Sequence, residues 1–155
     1  MSIFPTKILL ATDGSADAEL AATTAADLAQ RTNSELHVVT VGLDLPFYEL
    51  LEHPADFEDA LHEQRREAQA VLEEQVKRVE ESGGAVNERH LREGRADEEI
   101  VVLAQEIGAG MIVMGSRGQG RIRRALMGSV SDSVVRHAHC PVTIVRKRTA
   151  PDPGW

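Results

Sequence analysis

Short apolar runs, separated by segments of helical periodicity, divide the chain into alternating predicted elements. Four runs are strongly apolar, end at turn-forming residues and predict buried strands at 8–11, 36–41, 111–114 and 142–145. Residues 85–92 alternate more weakly between apolar and polar, and they predict an edge strand.

Four helices are predicted between these strands. The first begins after Ser15, a residue type that caps helix N-termini. Glycines 83 and 84 end the second. The apolar face of the first helix consists of Leu20, Ala21, Thr24, Ala25 and Leu28, and that of the second, from Phe57 onward, of Leu61, Ala68, Leu72, Val76 and Val79. The apolar face of the third helix consists of Ile100, Leu103, Ala104 and Ile107, and that of the fourth of Val130, Val134 and Ala138. Residues 43–56 predict a long loop and 147–155 a loose tail.

This order of elements predicts one doubly wound α/β domain over residues 1–146. Strands that alternate with helices form right-handed crossovers, which produce a parallel sheet with helices on both faces. A length of 155 residues suits a single domain.

Composition narrows the possible environment and partners. The formal charge of −8, from 25 acidic and 17 basic residues, argues against nucleic acid as the main partner. The single cysteine, Cys140, suits a reducing cytoplasm. No apolar run is long enough to predict a membrane span, and residues 1–6 do not resemble a signal peptide.

The segment with the clearest chemistry is Gly115-Ser116-Arg117-Gly118, followed nine residues later by Gly128-Ser129. It begins where a predicted strand ends and finishes where a helix starts, so backbone N–H groups and the helix dipole can hold phosphate. The alternative is a purely structural turn, with Ser129 to Asp132 as a capping box. A Walker lysine and the dinucleotide glycine fingerprint are both absent from the sequence.

The spacing Gly-x2-Gly-x9-Gly-[Ser/Thr] resembles the ATP-binding motif of the universal stress protein family. The opening Ile8-Leu9-Leu10-Ala11-Thr12-Asp13-Gly14-Ser15 and the closing Cys140-Pro141-Val142-Thr143-Ile144-Val145 are also similar to that family. The likeness covers roughly residues 5–146 in matching order.

The resemblance implies strand order 3-2-1-4-5 and a ligand crevice between strands 1 and 4, where the strand order reverses. It implies ATP, with Mg²⁺, as the ligand, and a homodimer that pairs through residues 141–146. The implied contacts are Asp13 and Val41 for adenosine; Met114 and Gly115 for the floor; Gly118, Gly128, Ser129 and Val130 for the phosphates; and Arg117 and Ser131 as extensions. A local turn role for Asp13 and a core role for Val41 are the alternatives.

The sequence is compatible with several functions. A regulatory ATP-binding protein is favoured over a slow ATPase or phosphoryl-transfer enzyme, because no general base beside the γ-phosphate can be named. A dimeric interaction module without nucleotide, and a flavin module of similar topology, are further alternatives.

Histidines and the cysteine give weaker indications. His137, His139 and Cys140 lie close in sequence, but three potential ligands at a helix end more often have a structural role. His37 falls within a predicted buried strand and is interpreted as a hydrogen-bonded core residue. No role follows from the sequence around His90.

Overall fold

The computed structural model describes residues 1–42, 54–116 and 128–147, and five strands alternate with four helices within them. The strands are β1 (Lys7–Ala11), β2 (Glu35–Gly42), β3 (Glu88–Glu93), β4 (Met111–Gly115) and β5 (Val142–Val145). The helices are α1 (Ala16–Thr32), α2 (Pro54–Glu81), α3 (Ala96–Ile107) and α4 (Ser129–His137). Most of the tail predicted at 147–155 and most of the loop predicted at 43–56 lie outside the described residues.

The strands form one parallel sheet of order β3-β2-β1-β4-β5, which confirms the predicted fold class. Strand β1 is central. Its last residue, Ala11, pairs with Val39 of β2 on one side and with Met114 of β4 on the other. Strands β2 and β3 therefore lie on one side of β1, and strands β4 and β5 lie on the other.

Helices cover both faces of the sheet because side chains alternate between faces along each strand. Ile8 and Leu10 of β1 face α1 and α2, whereas Leu9 and Ala11 face α3 and α4. All four side chains are buried. The continuous apolar runs found in the sequence therefore reflect strands buried on both sides.

The face through which helix α1 packs on the sheet only partly matches the predicted one: Ala21 and Ala25 are buried as predicted, and Leu28 is partly buried. Leu20 is 40% exposed and Thr24 is also exposed, so the predicted inward positions are wrong for these two residues. The buried positions are all alanines: Ala18, Ala21, Ala22, Ala25, Ala26 and Ala29. A face of small side chains lets the helix axis lie close to the sheet, and this close packing outweighs the burial of one leucine.

Helix α2 begins at Pro54, earlier than the predicted loop at 43–56 allows. Proline is tolerated in the first helical turn because the N–H it lacks has no partner there, so a proline that suggests a loop can also begin a helix. Further along, Ala68, Leu72, Val76 and Val79 are buried as predicted.

The two edges of the sheet differ in chemistry. Edge strand β3 has the sequence ERHLRE and is largely exposed, whereas edge strand β5 has the sequence VTIV and is half-buried throughout. Within residues 1–42, 54–116 and 128–147, no helix has the length and apolar character that a membrane crossing requires.

Candidate functional site

The carboxyl ends of β1, β2 and β4 meet at one edge of the sheet. From β1 the chain crosses to β2 on one side, while β4 lies on the other, so the crossovers diverge at the β1–β4 boundary. Ligands of open α/β sheets bind at such a point. Ala11 pairs with Val39 of β2 and with Met114 of β4. Val41, Asp13 and Ser116 each follow one of these paired residues by two positions, so they lie side by side at this edge.

The turn between β1 and α1 is tightly fixed by short-range hydrogen bonds. Gly14 has φ +79°, a conformation that favours glycine. The Asp13 carboxylate accepts the Ser15 N–H at 2.9 Å, and the Ser15 hydroxyl accepts the Ala18 N–H at 3.3 Å as the N-cap of α1. The predicted cap is confirmed. The local turn role of Asp13 is also observed, and it holds the carboxylate at the crevice.

Gly115 ends β4 directly against the first turn of α1. A Cβ at this position would lie 2.9 Å from the backbone carbon and the Cβ of Asp17, and 3.0 Å from the Ala18 nitrogen. Such contacts are too short for real Cβ atoms. The glycine is therefore required by helix–strand packing, in addition to any role in approaching a phosphate.

Ser116, for which the sequence predicts no separate role, joins β4 to both helices that begin at the crevice. It is 2% exposed, and its hydroxyl donates to the Asp17 carboxylate at 2.6 Å. Its carbonyl accepts the Gly128 N–H at 2.6 Å and the Ser131 hydroxyl at 2.8 Å. Asp17 and Ser131 lie 99 and 15 positions from Ser116, so no local sequence pattern could predict these contacts.

Helix α4 starts with a glycine N-cap rather than with the capping box that is the structural alternative to phosphate binding. Gly128 has φ −70° and ψ 162°, and no side chain among the described residues makes a capping hydrogen bond there. The Ser131 hydroxyl instead lies close to the Ser116 and Gly128 carbonyls. The first turn, at Ser129 and Val130, therefore presents backbone N–H groups and the positive end of the helix dipole without a side-chain acceptor.

The remaining predicted site residues divide into two groups. Met114 is 6% exposed and Val41 is partly buried, and both belong to the core layer beneath α3 and α4. They lie at the strand ends below the crevice. Arg117 and Gly118 lie outside the described residues.

Cys140 lies apart from this site. The thiol is half-buried, and burial raises its pKa, which lowers the reactive thiolate fraction. His137, His139 and Cys140 are not among the side chains that converge as a potential metal-ligand group in the described part of the chain.

Comparison with known proteins agrees with this geometry. The model of the universal stress protein family matches residues 5–146. A universal stress protein of Methanocaldococcus jannaschii is 35% identical over 143 residues, which is 91% of this chain and 82% of that protein.

Solved structures show the same fold. The universal stress protein UspA from Lactobacillus plantarum superposes with a TM-score of 0.81 and 25% identity, covering 94% of this chain and 100% of that one. A universal stress protein solved in complex with cAMP gives 0.65 and 26%, covering 92% and 98%. This chain therefore belongs to the universal stress protein family.

Proposed function

We propose that this chain is a regulatory protein of the cytoplasm that binds ATP, with Mg²⁺, in the crevice between β1 and β4. One observation carries the proposal. Helix α4 starts at Gly128 without a side-chain cap among the described residues, and the Gly128 N–H donates to the carbonyl of Ser116, which follows β4. The positive end of a helix is thereby fixed at the point where the sheet topology favours a ligand.

Adenine nucleotides are favoured among anionic ligands by the relative that was solved with cAMP. In this chain the nucleoside would contact Asp13 and the backbone of Val41, above Met114 and Gly115. Gly118, Gly128, Ser129 and Val130 would hold the phosphates, with Arg117 beside them. Mg²⁺ would bind mainly through the phosphates, as it usually does in nucleotide sites.

Ser131 has a narrower role in this proposal. Its hydroxyl is engaged with the Ser116 and Gly128 carbonyls, so only its backbone N–H is left to interact with a phosphate. Replacing Ser131 with alanine would therefore alter the position of α4 rather than remove a ligand contact.

Calorimetry on protein stripped of nucleotide tests the proposal. We expect heat on titration with ATP in the presence of Mg²⁺, and weaker binding of GTP. An absence of binding of ATP, AMP and cAMP to folded protein would refute nucleotide binding altogether. Binding of cAMP alone would refute ATP as the ligand.

Gly128→Val is the variant that tests the site itself. Because Gly128 has φ −70° and ψ 162°, valine can adopt this backbone conformation, and the fold should survive. The added methyl groups would occupy space at the phosphates and abolish binding. Val135→Ala, at an exposed position of the same helix, is the control and should bind as the wild type does.

We further propose that two copies pair through β5. This strand is an apolar edge, and it can pair with itself across a two-fold axis. Light scattering should report a dimer, and Ile144→Pro, which removes a central N–H, should give monomer or precipitate. A monomeric wild-type protein at micromolar concentration would refute pairing.

A further inference from the structure

Two histidines and a glutamate converge on the sheet at a distance from the carboxyl ends of the strands. His37 lies on β2, and Glu88 and His90 lie two residues apart on β3, on one face of that strand. His37 pairs in register with Glu88, and His90 pairs with Val39. The parallel register therefore brings together three potential metal ligands from positions 51 and 53 residues apart.

The three ligand atoms form a compact triangle. His37 Nδ1 lies 3.1 Å from His90 Nε2 and 3.6 Å from Glu88 Oε2, and His90 Nε2 lies 4.0 Å from the same oxygen. The nearest point equidistant from these atoms lies in their plane, about 2.1 Å from each, close to the bond lengths of Zn²⁺ to imidazole nitrogen and carboxylate oxygen. A tetrahedral ion would lie slightly above this plane, and rotation of the side chains would aim the three donor atoms at it.

Burial keeps both imidazoles in the neutral form. The side chain of His37 is 4% exposed and that of His90 is 15% exposed, and burial lowers the pKa of both. The neutral imidazole is the form that binds a metal. Glu88 is 61% exposed, so the site opens to solvent on the carboxylate side.

Without a metal, the two rings form a hydrogen bond. Their centroids are 5.4 Å apart and their planes differ by 14°, so the nitrogens face each other nearly head-on and share one proton. A metal would displace this proton and draw both ring nitrogens toward Glu88. The other ring nitrogen of His37 has no hydrogen-bond partner among the described residues. Metal ligands usually have such a partner, and its loss typically costs roughly 10–100-fold in affinity.

We propose that His37, Glu88 and His90 bind one Zn²⁺ ion, with a fourth position open to water. Two histidines and one glutamate form a recognised Zn²⁺ ligand set, and imidazole ligands disfavour Mg²⁺ and Ca²⁺. His37 precedes Val41 by four strand residues, or about 13 Å. The zinc site is therefore separate from the nucleotide crevice, and the two proposals can fail independently.

Titration of nucleotide-free, chelator-treated protein with Zn²⁺ alone tests this inference. We expect one equivalent to bind, measured by calorimetry or by competition with a colorimetric chelator. Co²⁺ should bind at the same site and give visible absorption from a nitrogen and oxygen environment. His90→Ala and Glu88→Gln, which change the less buried ligands, should each weaken Zn²⁺ binding by at least about tenfold.

A double variant, His137→Ala with His139→Ala, is the matched control because it removes two histidines outside the cluster. It should bind Zn²⁺ as tightly as the wild type does. No uptake by the wild type, or equal uptake by folded His90→Ala protein, would overturn the assignment. Loss of binding only in the control would also overturn it, and would place the ion near α4.

Discussion

Gly115→Ala is expected to destabilise this protein, although it adds only one methyl group. The new Cβ would lie 2.9 Å from two carbon atoms of Asp17 and 3.0 Å from the Ala18 nitrogen. Favourable carbon–carbon contacts lie at about 3.5–4.0 Å, so α1 and β4 must separate by roughly 0.6 Å or more. The atoms in the way include helix backbone, which cannot rotate aside as a side-chain tip can.

The size of the effect follows from two opposing contributions. Overpacking a well-filled site costs about 1–3 kcal/mol. Replacing glycine also restricts the unfolded chain, which stabilises the folded state by about 0.4–1 kcal/mol. The expected net loss is about 1–2 kcal/mol. For a protein of this size, that corresponds to a fall in Tm of roughly 2–8 °C.

Urea unfolding followed by circular dichroism measures this loss, and Gly42→Ala is the matched control. Gly42 also ends a strand at the same edge of the sheet, but a Cβ there would be 3.7 Å from its nearest neighbours, an ordinary contact. The control should keep or slightly raise the stability. Equal free energies of unfolding for the two variants would refute the packing argument for Gly115.

Three further predictions follow from contacts near the crevice and from Cys140. Ser15→Ala removes the N-cap of α1 and should lower the free energy of unfolding by about 1 kcal/mol; no change would show that the 3.3 Å contact contributes nothing. Ser116→Ala removes the hydrogen bond to the Asp17 carboxylate and should cost about 1.5–3 kcal/mol in the same assay, whereas an effect within error would contradict its role in joining β4 to α1. Cys140 should react with iodoacetamide more slowly in folded protein than in urea, because burial raises the thiol pKa and limits access; equal rates would contradict this.

Much of the fold could be predicted from the sequence because its strands are buried on both faces. Residues 8–11 and 112–114 are almost completely buried, as expected of central parallel strands. Strand order came from the family resemblance. Helix α1 shows the limit of periodicity: alanine and leucine count alike as apolar, but only the alanines allow the close packing observed.

The candidate site was predictable only where its contacts are local. Ser15 and Asp13 act within three residues, so the cap and the turn could be recognised. The bond between Ser116 and Asp17 spans 99 positions, and the contact between His37 and His90 spans 53. Both depend on strand register and order, which determine which distant side chains meet and which a single sequence does not reveal.

The contrast between the two sheet edges has a consequence for assembly. Four of the six residues of β3 are charged, so a strand added at that edge would bring charged side chains against its own and lose their hydration. Of the two described edges, β5 is therefore the one whose chemistry favours an added strand. If two copies pair through β5, as proposed above, no second apolar edge would remain exposed, and growth would stop at two chains instead of continuing into a fibre.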